Sequence, residues 1–247
     1  MTPRTFRLVL SYDGTAYAGW QTQPDTPTIQ GLVIHAAREL CGGDTRVTGA
    51  SRTDAGVHAL RQVVSLTTAT SGLTPAAMLG ALNAALPRDV RVLDACEVTS
   101  AFDARRAART KRYRYLIDNA RVPSPLLLRY AWHVGAPLDV VTMRKALAPL
   151  RGRHDFSAFR ASAGRDRDPT CVVRALHVFR RRDRVAVWIS ADRYLHHMVR
   201  VIVGSAVEVG RGARPPAWIA AARDSADRTL AGPTAPARGL ALVRVVY

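Results

Sequence analysis

Apolar positions along this chain switch repeatedly between a period of two and a period near 3.6. From Pro3 to Tyr12 they alternate, with Phe6, Leu8 and Leu10 on one side, the pattern of a strand with one face on a core. The run stops at Tyr12-Asp13-Gly14-Thr15, a turn signal. Thr28 is placed to cap a helix from Ile29 to about Cys41. Ile29, Leu32, Val33, Ala36, Ala37 and Leu40 recur there at helical spacing, and Gly42-Gly43 ends the run. A short strand around Arg46 to Thr48, a loop from Gly49 to His58 and a strand from Gln62 to Thr67 follow. Thr74 opens a second helix that ends before Pro87, and Val90 to Val98 is extended again.

The second half repeats this rhythm. Arg112 to Asp118 is a strand with tyrosines at alternate positions. A proline-rich connection, Val122 to Pro125, leads to a strand near Tyr130 to Val134 and a helix from Leu138 to Leu150. Val172 to Phe179 and Arg184 to Ser190 read as a hairpin turning through Arg181-Arg182-Asp183. A long helix is predicted from about Arg193 to Val209, with Leu195, Met198, Val199, Ile202, Val203 and Ala206 on its apolar side. Trp218 to Asp224 reads as a short helix and Leu240 to Tyr247 as a closing strand. The pattern predicts an α+β protein of two similar lobes, antiparallel sheets with helices on one face, divided as residues 1–105 and 106–247. A cleft between such lobes is a natural place for a site.

Charge changes the picture more than composition does. Of 247 residues, 48% are hydrophobic and 22% charged, values that exclude collagen, coiled coil and wholesale disorder. Lys plus Arg number 36 and Asp plus Glu 19, a formal net charge of +17 that points to a polyanionic partner, most simply nucleic acid. Only Lys111 and Lys145 are lysines, and arginine's planar donor fork suits phosphate. The arginines are spread through apolar sequence, so the charge belongs to a folded body and not to a basic tail. No apolar run approaches the ~20 residues of a membrane span, and the first dozen residues do not form a signal peptide. Cys41, Cys96 and Cys171 are odd in number and far apart, which fits small buried thiols in a reducing cytoplasm.

Candidate chemistry concentrates in Gly49-Ala50-Ser51-Arg52-Thr53-Asp54-Ala55-Gly56-Val57-His58-Ala59, where two glycines bracket a carboxylate, a guanidinium and an imidazole. Asp54 suits a nucleophile or base, with Arg52 holding phosphate or orienting substrate; the alternative is an Asx-type turn in which Asp54 bonds its own backbone. Tyr113 and Tyr115 suit base stacking or ordinary packing. Arg200 lies about 120° from the centre of its helix's apolar face, a border position able to reach a cleft or to extend into water. His58, His154, His196 and His197 match no metal-ligand spacing.

Read together, these segments resemble the TruA family of tRNA pseudouridine synthases over nearly the whole chain. The similarity runs through Tyr12-Asp13-Gly14-Thr15-x-Tyr17-x-Gly19-Trp20-Gln21-x-Gln23, Thr28-Ile29-Gln30 and the loop Arg52 to Ala59. It continues through Phe102-Asp103-Ala104-Arg105, Arg112-Tyr113-Arg114-Tyr115, His154 to Phe159, Met198-Val199-Arg200 with Gly204 and Gly210, and Ala235-Pro236-x-x-Gly239-Leu240. The resemblance implies a pseudouridine synthase fold with an active-site cleft between the lobes. It also implies isomerisation of uridine to pseudouridine at tRNA positions 38, 39 and 40, no metal or organic cofactor, and a homodimer gripping tRNA. It assigns Asp54 as the catalytic aspartate, Tyr113 as the tyrosine stacking on the target base, Arg200 as the arginine paired with the aspartate, and Arg52 as an aid to extruding the nucleotide. Ser51 departs from the family's usual glycine, and Arg106-Ala107 from its usual Phe-Ser.

The chemistry suits those residues. The reaction breaks N1–C1′, turns the uracil and forms C5–C1′, with no atoms entering or leaving. Asp54 can begin it by attack on C1′, by addition to C6 or by removing the C2′ proton. Two other classes compete. One is an RNA-binding protein of the same fold without catalysis. The other is a metal-dependent nuclease, disfavoured because the loop holds only one carboxylate.

Overall fold

The computed structural model describes residues 3–69, 72–161 and 168–247. The chain divides into two units, Met1–Arg109 with Leu242–Tyr247, and Thr110–Ala241. The closing strand, expected in the second lobe, thus groups with the first unit from Leu242 onward.

The first unit is β1 (Arg4–Tyr12), α1 (Ile29–Cys41), β2 (Thr45–Gly49), β3 (His58–Thr68), α2 (Pro75–Ala85) and β4 (Val90–Val98). The second is β5 (Thr110–Asp118), β6 (Trp132–His133), α3 (Val140–Leu147), β7 (Gly152–Asp155), β8 (Thr170–Arg181), β9 (Arg184–Ala191), α4 (Met198–Gly210) and α5 (Trp218–Ser225), before β10 (Leu240–Val246) closes the chain. Among the described residues, no helix is long and apolar enough to cross a membrane.

In the first unit the strand order is β4-β1-β3-β10, with β2 also on β3. β1 is antiparallel to both β3 and β4. Alternation along β1 sends Phe6, Leu8 and Leu10 fully into a core shared with Ile29 and Val33 of α1 and Met78 and Leu82 of α2. Each such side chain contributes ~1.5–3 kcal/mol relative to exposure. The helix ends follow the expected chemistry. Thr28 accepts from the Gly31 amide at 3.2 Å, Thr74 caps α2 through the Ala77 amide, and Gly42 ends α1 at φ 85°.

In the second unit the order is β5-β9-β8-β7, all antiparallel, with the two-residue β6 parallel to β5. The hairpin turns where predicted, with Arg182 at φ 52°. Every residue of α4 is buried except Arg200 and Glu208. Cys41 and Cys171 are buried, and burial pushes the Cys171 thiol up to about 11.

The largest differences from the sequence reading are three boundaries and one strand. α4 begins at Met198, not near Arg193, because the preceding segment is pinned elsewhere. Asp192 accepts from the amides of Val172 and Arg193, Arg193 Nε donates to the Thr170 carbonyl at 2.8 Å, and His197 takes a left-handed φ of 62°. Pairing of Ala59 with Tyr12, past an irregularity between Leu10 and Tyr12, extends β3 back to His58. β6 shortens to Trp132-His133. β7 was not anticipated, since Gly152-Arg153-His154-Asp155 has no apolar alternation and is held by backbone pairing with β8.

Candidate active site

The loop between β2 and β3 is held from both sides. The Ala50 amide donates to the Val63 carbonyl at 2.8 Å. The Gln62 side chain brackets Ser51, its Nε2 donating to the Ser51 carbonyl at 2.6 Å while its Oε1 accepts from the Ser51 amide at 3.3 Å. Ser51 therefore fits with no need for glycine's freedom. The Thr53 hydroxyl lies 2.8 Å from the Tyr12 phenol, and the Thr53 carbonyl accepts from the Trp20 amide at 3.0 Å. The Val57 amide closes a turn onto the Asp54 carbonyl at 3.1 Å, and Gly56 has φ 75°.

The segment after β1 packs directly on this loop. Gly19, at φ 94°, lies so close that a Cβ would stand 2.5 Å from the Thr53 carbonyl oxygen, and one on Gly14 would stand 2.1 Å from that of Val57. Trp20 is 2% exposed and stacks beside Tyr12. Burial raises the Tyr12 phenol well above its usual value, with the bonds to Thr53 and Gln62 opposing, so it stays a neutral hydroxyl. The outcome is graded exposure along three consecutive residues: Arg52 exposed, Thr53 buried as the anchor, Asp54 half-buried. A single carboxylate is presented on backbone fixed from three directions. His58 is also structural here, its Nδ1 accepting from the Gly14 amide at 3.0 Å.

In the second unit, Tyr113 and Tyr115 share one face of β5. Tyr115 is fully buried, packs edge-on to Trp132 and donates to the Pro236 carbonyl at 2.7 Å. Burial raises its phenol, with the nearby charges of Arg200 and Arg238 opposing. Tyr113 is 4% exposed, its ring held edge-to-face by Tyr194 at 5.0 Å and 81°. Arg200, half-buried in the first turn of α4, clamps the segment before β10. Its Nε donates to the Ala235 carbonyl at 2.8 Å, and the Ala235 amide returns a bond to the Arg200 carbonyl at 3.1 Å. A Cβ on Gly204 would stand 1.8 Å from the Pro233 carbonyl oxygen, so the same segment lies flat on α4. Tyr115 and Arg200 are thus tied to neighbouring residues of one strap, Pro236 and Ala235.

Reasoning from residue types singled out Asp54, Arg52, Tyr113 and Arg200. It missed the supports: Tyr12, Gln62, Thr53, Tyr194 and the Ala235-Pro236 strap. Glycines and aromatics clustered between Gly14 and Trp20, away from any predicted element, were the available signal. The departures Arg106-Ala107 sit in a turn capped by Asp103, whose carboxylate accepts from the amides of Arg105 and Arg106. That turn depends on Asp103 and on the buried Ala104, not on the residues that differ.

An α+β body with a net charge of +17 thus presents the half-buried Asp54 carboxylate on a braced loop. Residues 8–105 and 146–247 match the family described as tRNA pseudouridine synthase. The chain is 46% identical over 242 residues to tRNA pseudouridine synthase A of Myxococcus xanthus, covering 98% of this chain and 91% of that one. It is 44% identical to the protein of that name from Moorella thermoacetica, covering 98% of each. To that of Thermoanaerobacter sp. (strain X514) it is 40% identical, covering 99% of this chain and 100% of that one. The chain belongs to the tRNA pseudouridine synthase family, and pseudouridine synthases are isomerases.

Proposed function

We propose that the chain converts uridine to pseudouridine at positions 38, 39 and 40 of the tRNA anticodon stem-loop, working in the cytoplasm as a homodimer. The observation that carries this reading is the Asp54 loop, anchored through Thr53, within a match that spans nearly the whole chain. Asp54 initiates the reaction. Attack on C1′, addition to C6 and deprotonation at C2′ are the three chemically distinct ways for one carboxylate to do so. Arg200 is assigned as the arginine that pairs with Asp54 during the reaction. Tyr113 stacks on the target base. The perpendicular ring contact with Tyr194 restrains its orientation, and stacking on a base uses a ring face. Arg52, exposed on the loop, supports the extruded nucleotide, whose unstacking costs a few kcal/mol. Because no atom enters or leaves, the reaction requires no redox or group-transfer cofactor.

The test is to incubate unmodified tRNA transcripts with the protein and chelator, then to map pseudouridine by position. Conversion at 38, 39 and 40, unaffected by chelator, is expected. Conversion confined to another region would overturn the position assignment, and binding without conversion would favour the non-catalytic RNA-binding reading.

A further inference from the structure

The first unit carries a basic groove built from residues outside the Asp54 loop. The alternation that sends Phe6, Leu8 and Leu10 into the core turns Arg7 and Val9 to the opposite face of β1. There Arg7, Arg61 of β3 and Arg244 of β10 line a cavity of about 410 Å³. Its apolar lining is Val9, paired in register with Val63, together with Val245. Tyr247 lines it too, its hydroxyl committed to the Ala104 carbonyl at 2.9 Å. The volume lies within the range of small-ligand sites, ~300–1,000 Å³, room for a nucleotide unit.

Its charge is poorly balanced. Arg7 Nη2 has one acidic partner, Asp94 at 3.1 Å, while among the described residues Arg61 and Arg244 have none. Arg7 Nε is buried and, among the described residues, has no hydrogen-bond acceptor. The exposed guanidinium groups of Arg61 and Arg244 are open to phosphate oxygens. Three guanidinium groups over valines and an aromatic ring suit a phosphate attached to a ribose and base. A second copy of this chain would bring the same arginines into contact, which is repulsive.

We propose that this groove binds the phosphodiester backbone of the RNA substrate at a point separate from the Asp54 loop. The proposal rests on the chain being a tRNA-modifying enzyme. The test compares the wild-type protein with Arg61→Gln/Arg244→Gln and with a control of equal charge, Arg38→Gln/Arg181→Gln, all four arginines being exposed. Binding of unmodified tRNA is measured against salt concentration. The groove variant is expected to lower the log–log slope by about 2, at roughly 0.9 per phosphate, and to weaken low-salt affinity by ~10-fold or more. The control should shift affinity less than about 3-fold. Equal shifts in the two variants would overturn the proposal, since only bulk charge would be at work. So would a change of oligomeric state confined to the groove variant, which would make the face a protein interface. Uridine monophosphate binding to the wild type but not to the groove variant, without displacing tRNA, would assign the site to a free nucleotide instead. Pseudouridine formation by the wild type, followed on the same preparations, fails only if the activity itself is misassigned.

Discussion

The Tyr12 phenol and the Thr53 hydroxyl meet at 2.8 Å in a buried contact, one residue ahead of the proposed catalytic carboxylate. Tyr12 lies in the β1 core, so this bond carries the position of the sheet into the loop. Tyr12→Phe keeps the ring and leaves the Thr53 hydroxyl short of a partner. It is expected to cost about 1–3 kcal/mol in denaturant unfolding. Turnover should fall roughly 10-fold with little change in KM, because orientation and not binding is lost. Unchanged stability and turnover would show that the loop is held without this bond.

Gly204 and Gly80 should respond to alanine in opposite directions. At Gly204 the added methyl meets the Pro233 backbone at 1.8 Å, which displaces the strap that Arg200 clamps. At Gly80, inside α2, it meets nothing within 4 Å. Thermal unfolding should show Gly204→Ala destabilised by roughly 1–3 kcal/mol with turnover sharply reduced. Gly80→Ala should be stabilised by roughly 0.5–1 kcal/mol with turnover kept.

Asp139 sets a pH dependence at the start of α3. Its carboxylate accepts from the Thr142 hydroxyl and from the amides of Thr142 and Val141, and these bonds, the hydroxyl's first, hold its pKa below the ordinary 3.8. A depressed folded pKa means stability that is present above the unfolded value and lost as pH falls through the folded one. Asp139→Ala should therefore unfold at lower temperature than wild type at neutral pH, with the gap narrowing below about pH 4. A gap that widens with acid would contradict this assignment.

The legible parts of the sequence were those governed by short-range rules. The Thr28 and Thr74 caps and the turn at Arg182 appear where side-chain chemistry and periodicity put them. The start of α4 was not legible. Leu195 sits at helical spacing from Met198, but bonds from Asp192 and Arg193 to the β8 region, distant in sequence, override local periodicity. β7 escaped for the same reason, its partner residues lying 15 or more positions away. At the site, Asp54 was a candidate by residue type, whereas Tyr12 read as the start of a turn and Gly19 entered only through the family resemblance. Their roles depend on packing against a loop more than 30 residues downstream.

The central claim is that Asp54 performs the chemistry from a loop held in place by its neighbours. Asp54→Asn removes the charge while keeping nearly the same shape. The decisive measurement is tritium release from tRNA labelled at uracil C5, run beside filter binding on the same preparation. The account predicts release below detection with tRNA affinity within about 3-fold of wild type, since a carboxylate adds nothing favourable to phosphate contacts. Release by Asp54→Asn near the wild-type rate would contradict it.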